Sequence, residues 1–588
     1  LIWATARFIL TIGAGCPEFC TLLPKSTCPV AVRTPGFFSP GRYRDLCSKR
    51  KENIDMNNVM KRLAALAAGI FLICMFIIPP AVFAQAPDIG DVLKGATPPP
   101  AETPAKKEAP AAPVIIQEEE KPFSLPEGEK IFVKDFKLEG AEPGDEAALG
   151  AILEPYRNRE LSMLEITEAA NKLTLFYRDK GYMVAKAYVP KQDASGGILT
   201  IRVILGKYGR FSLTNDSPVQ DWLVQGVFEK IRDTSPVVSR DGLERAMLLV
   251  KEMPGCAIPT VTIAPGAVPE TSDFDVKVNA AGRIGGYVMG DNQGSRHTGR
   301  NRLYGGIDVN SPFEIADKFS LSAMTSEYEG LQNIRASYGF PLAYNGLRAE
   351  LAASRATYEL GGIYSELDAT GSADIFEGTI SYPVKRSHAE SIDLFLNLAY
   401  KDLEDDLEEV DSENPRHAAV ATLTLQRAKY GTLFSRNFFA VVAGSVNLGD
   451  LVIENREQRT LNKAGADTDG TFSKLNLAFS GDLALTEKFS IRGALKLQKV
   501  LTGNNLDSTE QLFITGPGGV RVYDVSYGFD NGYLLNGELR YSLPELFGVR
   551  HALGLFADNG WVCAEDGDYT DHDEIMLSDA DLGYYAGY

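Results

Sequence analysis

Strict two-residue alternation, sustained over about ten residues at a time, constrains this chain more than any other feature of its sequence. It is clearest on either side of Gly516-Pro517-Gly518-Gly519-Val520-Arg521-Val522-Tyr523-Asp524, a Gly/Pro-rich turn with one arginine among apolar residues. Upstream, Phe489, Ile491, Gly493, Leu495 and Leu497 interleave with Ser490, Arg492, Ala494, Lys496 and Gln498. Downstream, Tyr533, Leu535, Gly537, Leu539, Tyr541 and Leu543 interleave with Leu534, Asn536, Glu538, Arg540 and Ser542. Segments of this length and pattern are what a membrane β-strand needs, with one face to lipid and one to a polar lumen. In the next segment, His551 to Asn559, Leu553, Leu555 and Ala557 share one face, and Phe556 and Asp558 the other. Asp558 thus has the inward parity required of a partner for an arginine in the lumen.

The residues at these positions also form a specific set. Val520-Arg521-Val522-Tyr523 resembles the VRG(Y/F) loop motif of the haemolysin secretion/activation family, the outer-membrane transporters of two-partner secretion. Phe556-Ala557-Asp558 resembles that family's F-x-D barrel motif. Asp291, Asn292, Gly294, Thr298 and Gly299 resemble its turn between the first two barrel strands, and Asn310-Ser311-Pro312-Phe313, with one inserted residue, the step that ends the second. The resemblance implies a sixth extracellular loop folded back into the barrel, with Arg521 paired to Asp558. Val522 stands where the family has glycine. On the residues alone, the alternative is an arginine on a solvated loop and an aspartate on a solvated strand.

In chain order, residues 1–55 lack an initiating Met and any sustained periodicity, and are read as non-native upstream translation. Cys16 and Cys20 lie there with no second pair or His set to complete a metal site. A secretory signal is expected over residues 56–84: Lys61-Arg62, an apolar run from Leu63 to Ile78, then Val82-Phe83-Ala84. The run is short for a membrane span and Pro79-Pro80 breaks it. Residues 85–129 form a Pro/Ala-rich linker that cannot bury a core, and Pro87 to Lys94 within it resembles the short helix that plugs the pore in some family members.

Two β-α-α-β-β units are predicted at 130–206 and 207–279, the first with helices at Glu146–Leu153 and Met163–Asp179 and a single strand over Ile131–Leu138. Such units between a signal and a barrel resemble POTRA domains, as does the Lys180-Gly181-Tyr182 turn. The fold class is therefore α+β periplasmic POTRA domains followed by an all-β transmembrane barrel over 280–588. The family barrel has sixteen strands and about fourteen are readable here, which is read as a C-terminal truncation.

Of 59 basic and 78 acidic residues, ten and four fall within 1–84, leaving 49 against 74 and a net charge of −25. That balance argues against nucleic acid, whose phosphates need a basic footprint. Only Cys256 and Cys563 remain, so disulfides do not organise the fold. The acidic runs Asp402–Glu413, Asp467–Gly470 and Glu565–Glu574 are read as solvated extracellular loops, because none has the spacing of an EF-hand. No catalytic residue, metal site or cofactor is expected, and no nucleotide-binding loop is present. The function implied is an outer-membrane pore of a Gram-negative cell that recognises a large secreted exoprotein, β-helical in character, through its POTRA units and exports it without ATP. Its further partners would be outer-membrane lipid and, for insertion, the barrel-assembly machinery. A barrel-assembly insertase of the same superfamily and a passive porin are the alternatives.

Overall fold

The computed structural model describes residues 89, 93, 130–192, 196–516, 518–523, 526–546, 549–567 and 574–587. The upstream segment, the secretory signal and the linker other than Ile89 and Leu93 lie outside the described residues.

The first α/β unit runs β1 (Lys130–Val133), β2 (Asp135–Glu139), α1 (Glu146–Leu153), β3 (Arg159–Ser162), α2 (Met163–Asp179), β4 (Lys186–Tyr188) and β5 (Ile198–Ile204). Strands β2 and β5 pair in parallel, with β4 antiparallel on the other edge of β5. The single strand expected over Ile131–Leu138 is in fact two. Lys134 separates them, and β1 pairs instead with β3, a strand with no alternating pattern to announce it. Both helices begin and end where the sequence predicts, and α2 shows why. Ser162 and Glu165 form a capping box at its start. Ile166, Ala169, Leu173 and Tyr177 recur at helical spacing on its buried face. Gly181, at φ +101°, ends it.

The second unit repeats the order: β6 (Lys207–Asn215), α3 (Asp221–Thr234), α4 (Arg240–Lys251), β7 (Thr260–Pro265) and β8 (Thr271–Val278). Strand β8 again takes a parallel neighbour, β6, and an antiparallel one, β7. Phe211, Phe228 and Phe274 fill its core with ring centroids 5.2–5.5 Å apart.

The remainder is one antiparallel meander. It comprises β9 (Ile284–Asp291), β10 (Arg302–Asn310), β11 (Lys318–Ser326), β12 (Leu331–Pro341), β13 (Arg348–Glu359), β14 (Ala369–Arg386) and β15 (Glu390–Leu407). It continues through β16 (Ser412–Leu433), β17 (Arg436–Ile453), the short helix α5 (Arg456–Ala464), β18 (Gly470–Ala484) and β19 (Phe489–Val500). A small hairpin, β20 (Leu512–Phe513) with β21 (Gly528–Phe529), sits in the next connection, before β22 (Asn531–Ser542), β23 (Arg550–Cys563) and β24 (Glu574–Gly587). Among the described residues the barrel sheet has 14 strands in sequence order, with β22 following β19.

Alternation decides which face meets lipid. Leu394, Leu396, Leu398 and Tyr400 on β15 are 36–55% exposed, as their parity predicts. The opposite parity carries polar ladders: Asn397 Nδ2 donates to Thr379 Oγ1 at 2.9 Å, and Asn447 Nδ2 to Thr422 Oγ1 at 2.9 Å. The acidic run Asp402–Glu413 corrects the sequence reading. Most of it is strand, and only residues 408–411 turn between β15 and β16.

Helix α4 fixes which end of the barrel faces the α/β units. Arg245 Nη2 donates to the Pro383 and Asn345 carbonyls at 2.6 and 3.1 Å, and Arg386 pairs with Glu252 at 3.0 Å. The β12–β13 turn and the end of β14, which carry these groups, lie at the α/β-unit end. The connection at 501–530, sixth of those at the other end, is the long one.

Gly181 supplies a direct test of the first unit. An added Cβ would meet nothing within 4 Å, so only the left-handed backbone opposes substitution. Gly181→Ala is expected to cost about 1 kcal/mol, read as faster hydrogen exchange at the C-terminal turn of α2 in the full-length protein.

Candidate functional site: a loop held inside the barrel

The 501–530 connection turns back into the barrel, and different strands hold its two halves: β15, β16 and β18 the upstream one, β22 and β23 the downstream one. In the downstream half, Arg521 Nε lies 3.0 Å from Asp558 Oδ2, and Nη2 donates to Asp558 Oδ1 at 3.3 Å. The Arg521 backbone N–H also donates to Asp558 Oδ2 at 3.3 Å. The guanidinium carbon stands 4.1 Å from the centre of the Phe556 ring. Phe556 and Asp558 are two residues apart on one strand and so project to the same side. That spacing lets one strand offer an aromatic face and a carboxylate to a single guanidinium. The Asp558 side chain is fully buried, so its charge depends on these donors.

Three further residues complete this anchor. Asn536 Nδ2 donates to Asp558 Oδ1 and to the Gly519 carbonyl, both at 2.9 Å. Glu538 lies 3.5 Å from Arg521 Nη1 and also pairs with Arg540. Tyr585 OH accepts from Arg521 Nη1 at 3.4 Å. Asn536 and Glu538 were legible as inward-facing positions of an alternating strand, but nothing in the sequence tied them to Arg521. Val520 is fully buried with Ile514, Leu534 and Val562, and Tyr523 packs at the edge of that cluster. Val522 is 47% exposed at a φ that is not positive, so the valine in place of glycine fits without strain.

The upstream half has its own anchor, which sequence reasoning missed. Asp507 accepts from Arg416 Nε at 2.7 Å, and Glu510 is held by Lys401 at 2.5 Å and Lys474 at 2.8 Å. Burial alone would push the Glu510 carboxyl up, but Lys401 and Lys474 outweigh it and hold its pKa at about 2. Its contribution to holding the loop is thus complete above its ordinary value of 4.5 and is lost only as pH falls through about 2. The signal available in the sequence was a run of charged residues (Lys401, Arg416, Lys474) at inward parity.

Asp291, Asn292, Gly294, Thr298 and Gly299 form a separate group in the first connection. Asp291 pairs with the buried Arg302 at 2.8 Å across the β9–β10 register. Gly294 N–H donates to the Arg300 carbonyl at 2.9 Å, and a Cβ there would lie 2.1 Å from the Gly299 carbonyl oxygen. Gly299 has φ +96°, Ser326 Oγ donates to the Thr298 carbonyl, and Asn292 is exposed. The glycines at these positions answer to close packing of connections.

A family model described as haemolysin secretion/activation protein ShlB/FhaC/HecB matches residues 270–583, and a POTRA domain model of ShlB type matches residues 131–206. The chain belongs to the haemolysin secretion/activation family. It is 25% identical over 414 residues to the heme/hemopexin transporter protein HuxB of Haemophilus influenzae (strain 86-028NP), covering 70% of this chain and 72% of that protein. The outer membrane transporter CdiB of Dickeya dadantii (strain 3937) is 26% identical over 215 residues, 36% of this chain and 37% of that one. The solved structure of CdiB from Escherichia coli shares the fold with a TM-score of 0.62 at 20% identity, over 84% of this chain and 88% of that one. Membership makes the chain an outer-membrane transporter of two-partner secretion with periplasmic POTRA units, paired with a secreted exoprotein. The insertase and porin readings are not favoured.

Gly519 tests the geometry of the loop tip. A Cβ there would lie 2.5 Å from the Thr515 carbonyl carbon and oxygen, whereas one on Gly518 meets only Lys496 Nζ at 3.8 Å. Gly519→Ala is expected to speed hydrogen exchange of the Val520 amide, which donates to the Ile514 carbonyl at 2.7 Å. Gly518→Ala is expected to leave it unchanged.

Proposed function

We propose that the transporter exports its exoprotein through the lumen that the 501–530 loop occupies, and that Arg521 and Asp558 are the pair that sets this loop in place. The observation that carries the reading is the fully buried Asp558 carboxylate facing the Arg521 guanidinium at 3.0 Å. The exoprotein, large and β-helical, would arrive unfolded in the periplasm and add a strand to an outer edge of a POTRA sheet, where main-chain donors and acceptors stand unpaired. No step needs ATP or a catalytic group of this chain, because folding outside the cell makes export one-way. Insertion of the barrel itself would fall to the barrel-assembly machinery. Ile89 and Leu93 support a pore-plugging helix near the mature N-terminus: both are helical, four residues apart, and they pack with Tyr304, Met324 and Tyr358. The closest check on the client is whether a large secreted β-helical protein is encoded beside this chain.

Two deletions of function follow from this reading. Removing residues 130–279 should leave a barrel that inserts but exports nothing, and normal secretion from such a variant would refute the capture role. Arg521→Ala and Asp558→Ala should each impair secretion without preventing insertion, since a buried charge left without its partner costs ~3–5 kcal/mol. Each change strands the same pair, so the double variant should secrete no less than the poorer single one. Losses that add on a logarithmic scale would mean that the two residues act separately.

A further inference from the structure

The upstream anchor of the loop and the amino-terminal residue Ile89 are linked through one ion pair, Arg416 with Asp405. Arg416 lies on β16, buried, with two of its guanidinium nitrogens committed to carboxylates. Its Nε donates to Asp507 Oδ2 of the loop at 2.7 Å, and its Nη1 to Asp405 Oδ2 on β15 at 2.7 Å. Asp507 in turn caps its own turn, accepting from Thr509 N–H at 3.0 Å and Thr509 Oγ1 at 2.6 Å. The other oxygen of Asp405, Oδ1, accepts from Tyr358 OH at 2.6 Å and from the backbone N–H of Ile89 at 3.2 Å. Ile89 is fully buried against Tyr304, Leu331, Tyr358 and Leu403, which gives this carboxylate apolar cover on that side.

We infer that Asp405 and Arg416 form a strut through which the amino-terminal helix and the loop hold each other in the lumen, so that displacing either one loosens the other. The physical route is short. When Ile89 leaves, Asp405 loses one donor and its apolar cover, and more water reaches the carboxylate. Water raises the local dielectric and competes for the Asp405 oxygens, which weakens their hold on Arg416. Arg416 is then less firmly oriented toward Asp507, and the turn at Ser508–Glu510 loses the cation that seats it. The same contacts run in reverse, as linkage requires: a loop drawn out by a client would strip Arg416 of Asp507 and leave Asp405 less able to hold the helix. The sharing itself argues against two independent fastenings. Side-chain exposure is 4% for Arg416, 8% for Asp507 and 17% for Asp405, so all three are largely withdrawn from solvent. The inference rests on the channel reading above only in placing both segments in one lumen, and its test reads loop structure, not export.

Hydrogen exchange of residues 505–513 in the full-length protein in lipid nanodiscs decides the matter. Four forms are compared: unmodified, Ile89→Asp, Arg416→Gln, and both together, with heat-modifiable gel migration confirming a folded barrel in each. Ile89→Asp is expected to speed exchange of this loop segment about tenfold, within the range typical of coupled sites. In the Arg416→Gln background the segment exchanges fast already, and Ile89→Asp is expected to add nothing resolvable. If Arg416→Gln fails to insert, Arg416→Lys replaces it, keeping the charge but not the two-pronged geometry, and the added effect of Ile89→Asp should again shrink. Exchange at 505–513 unchanged by Ile89→Asp would overturn the inference. So would an undiminished effect of Ile89→Asp once Arg416 is replaced. A defect in secretion alone bears on the channel reading and leaves this result standing.

Discussion

Charge that has no partner inside the barrel is the constraint on which the rest of the structure depends. The 501–530 loop brings two carboxylates, Asp507 and Glu510, and one guanidinium, Arg521, into the lumen. Each meets opposite charge on the wall. Arg416, Lys401 and Lys474 face the upstream half, and Asp558 and Glu538 face the downstream half. Placing the loop the other way round would set carboxylate against carboxylate and guanidinium against cation. Burial of ion pairs adds little net stability, because desolvation cancels most of the attraction, but it penalises wrong arrangements heavily. The pattern therefore specifies where the loop lies more than how tightly the barrel holds together.

Holding a loop this way requires a rigid wall, and the strand ladder supplies it. The β15 register holds from Asp393 to Leu407 against β14, its one shift lying at Pro383–Lys385, so a lysine at 401 and an aspartate at 405 cannot drift to the lipid face without a shift of register. The second α/β unit is fixed to the same frame from below. Arg245 on α4 and Glu252 just after it bind carbonyls and Arg386 at the near end of the barrel, so the second α/β unit is seated on the barrel wall beside β15. The elements that would handle a client and the elements that would yield to it are thus tied to one scaffold.

Much of this was legible in the sequence, for identifiable reasons. Helix α2 has a capping box and a periodic apolar face, α1 buries Leu149 and Leu153, and the limits of both were read correctly. Alternation gave the lipid-facing and lumen-facing positions of β15, β19 and β22. Strand β3 escaped notice because Arg159–Ser162 is short and its partner, β1, is distant in sequence. The acidic stretch at 402–407 was misread as loop because composition outweighed parity, although Leu403 and Asp405 already lay on the inward face. Arg521 and Asp558 could be paired through motifs. Asp507, Glu510 and Arg416 could not, since a loop's path across a lumen leaves no periodic trace, and only the folded chain shows which wall charge each loop charge reaches.

The central claim is that the Arg521–Asp558 contact keeps the loop inside the lumen, and a distance measurement tests it most directly. Spin labels at Val522, on the exposed side of the loop tip, and at Ser435, in the periplasmic turn between β16 and β17, would report the depth of the loop in the purified full-length protein. The account predicts one narrow distance distribution for the otherwise unmodified protein, and a broader one shifted to longer distances when Asp558→Asn removes the countercharge. Identical distributions in the two proteins would contradict it.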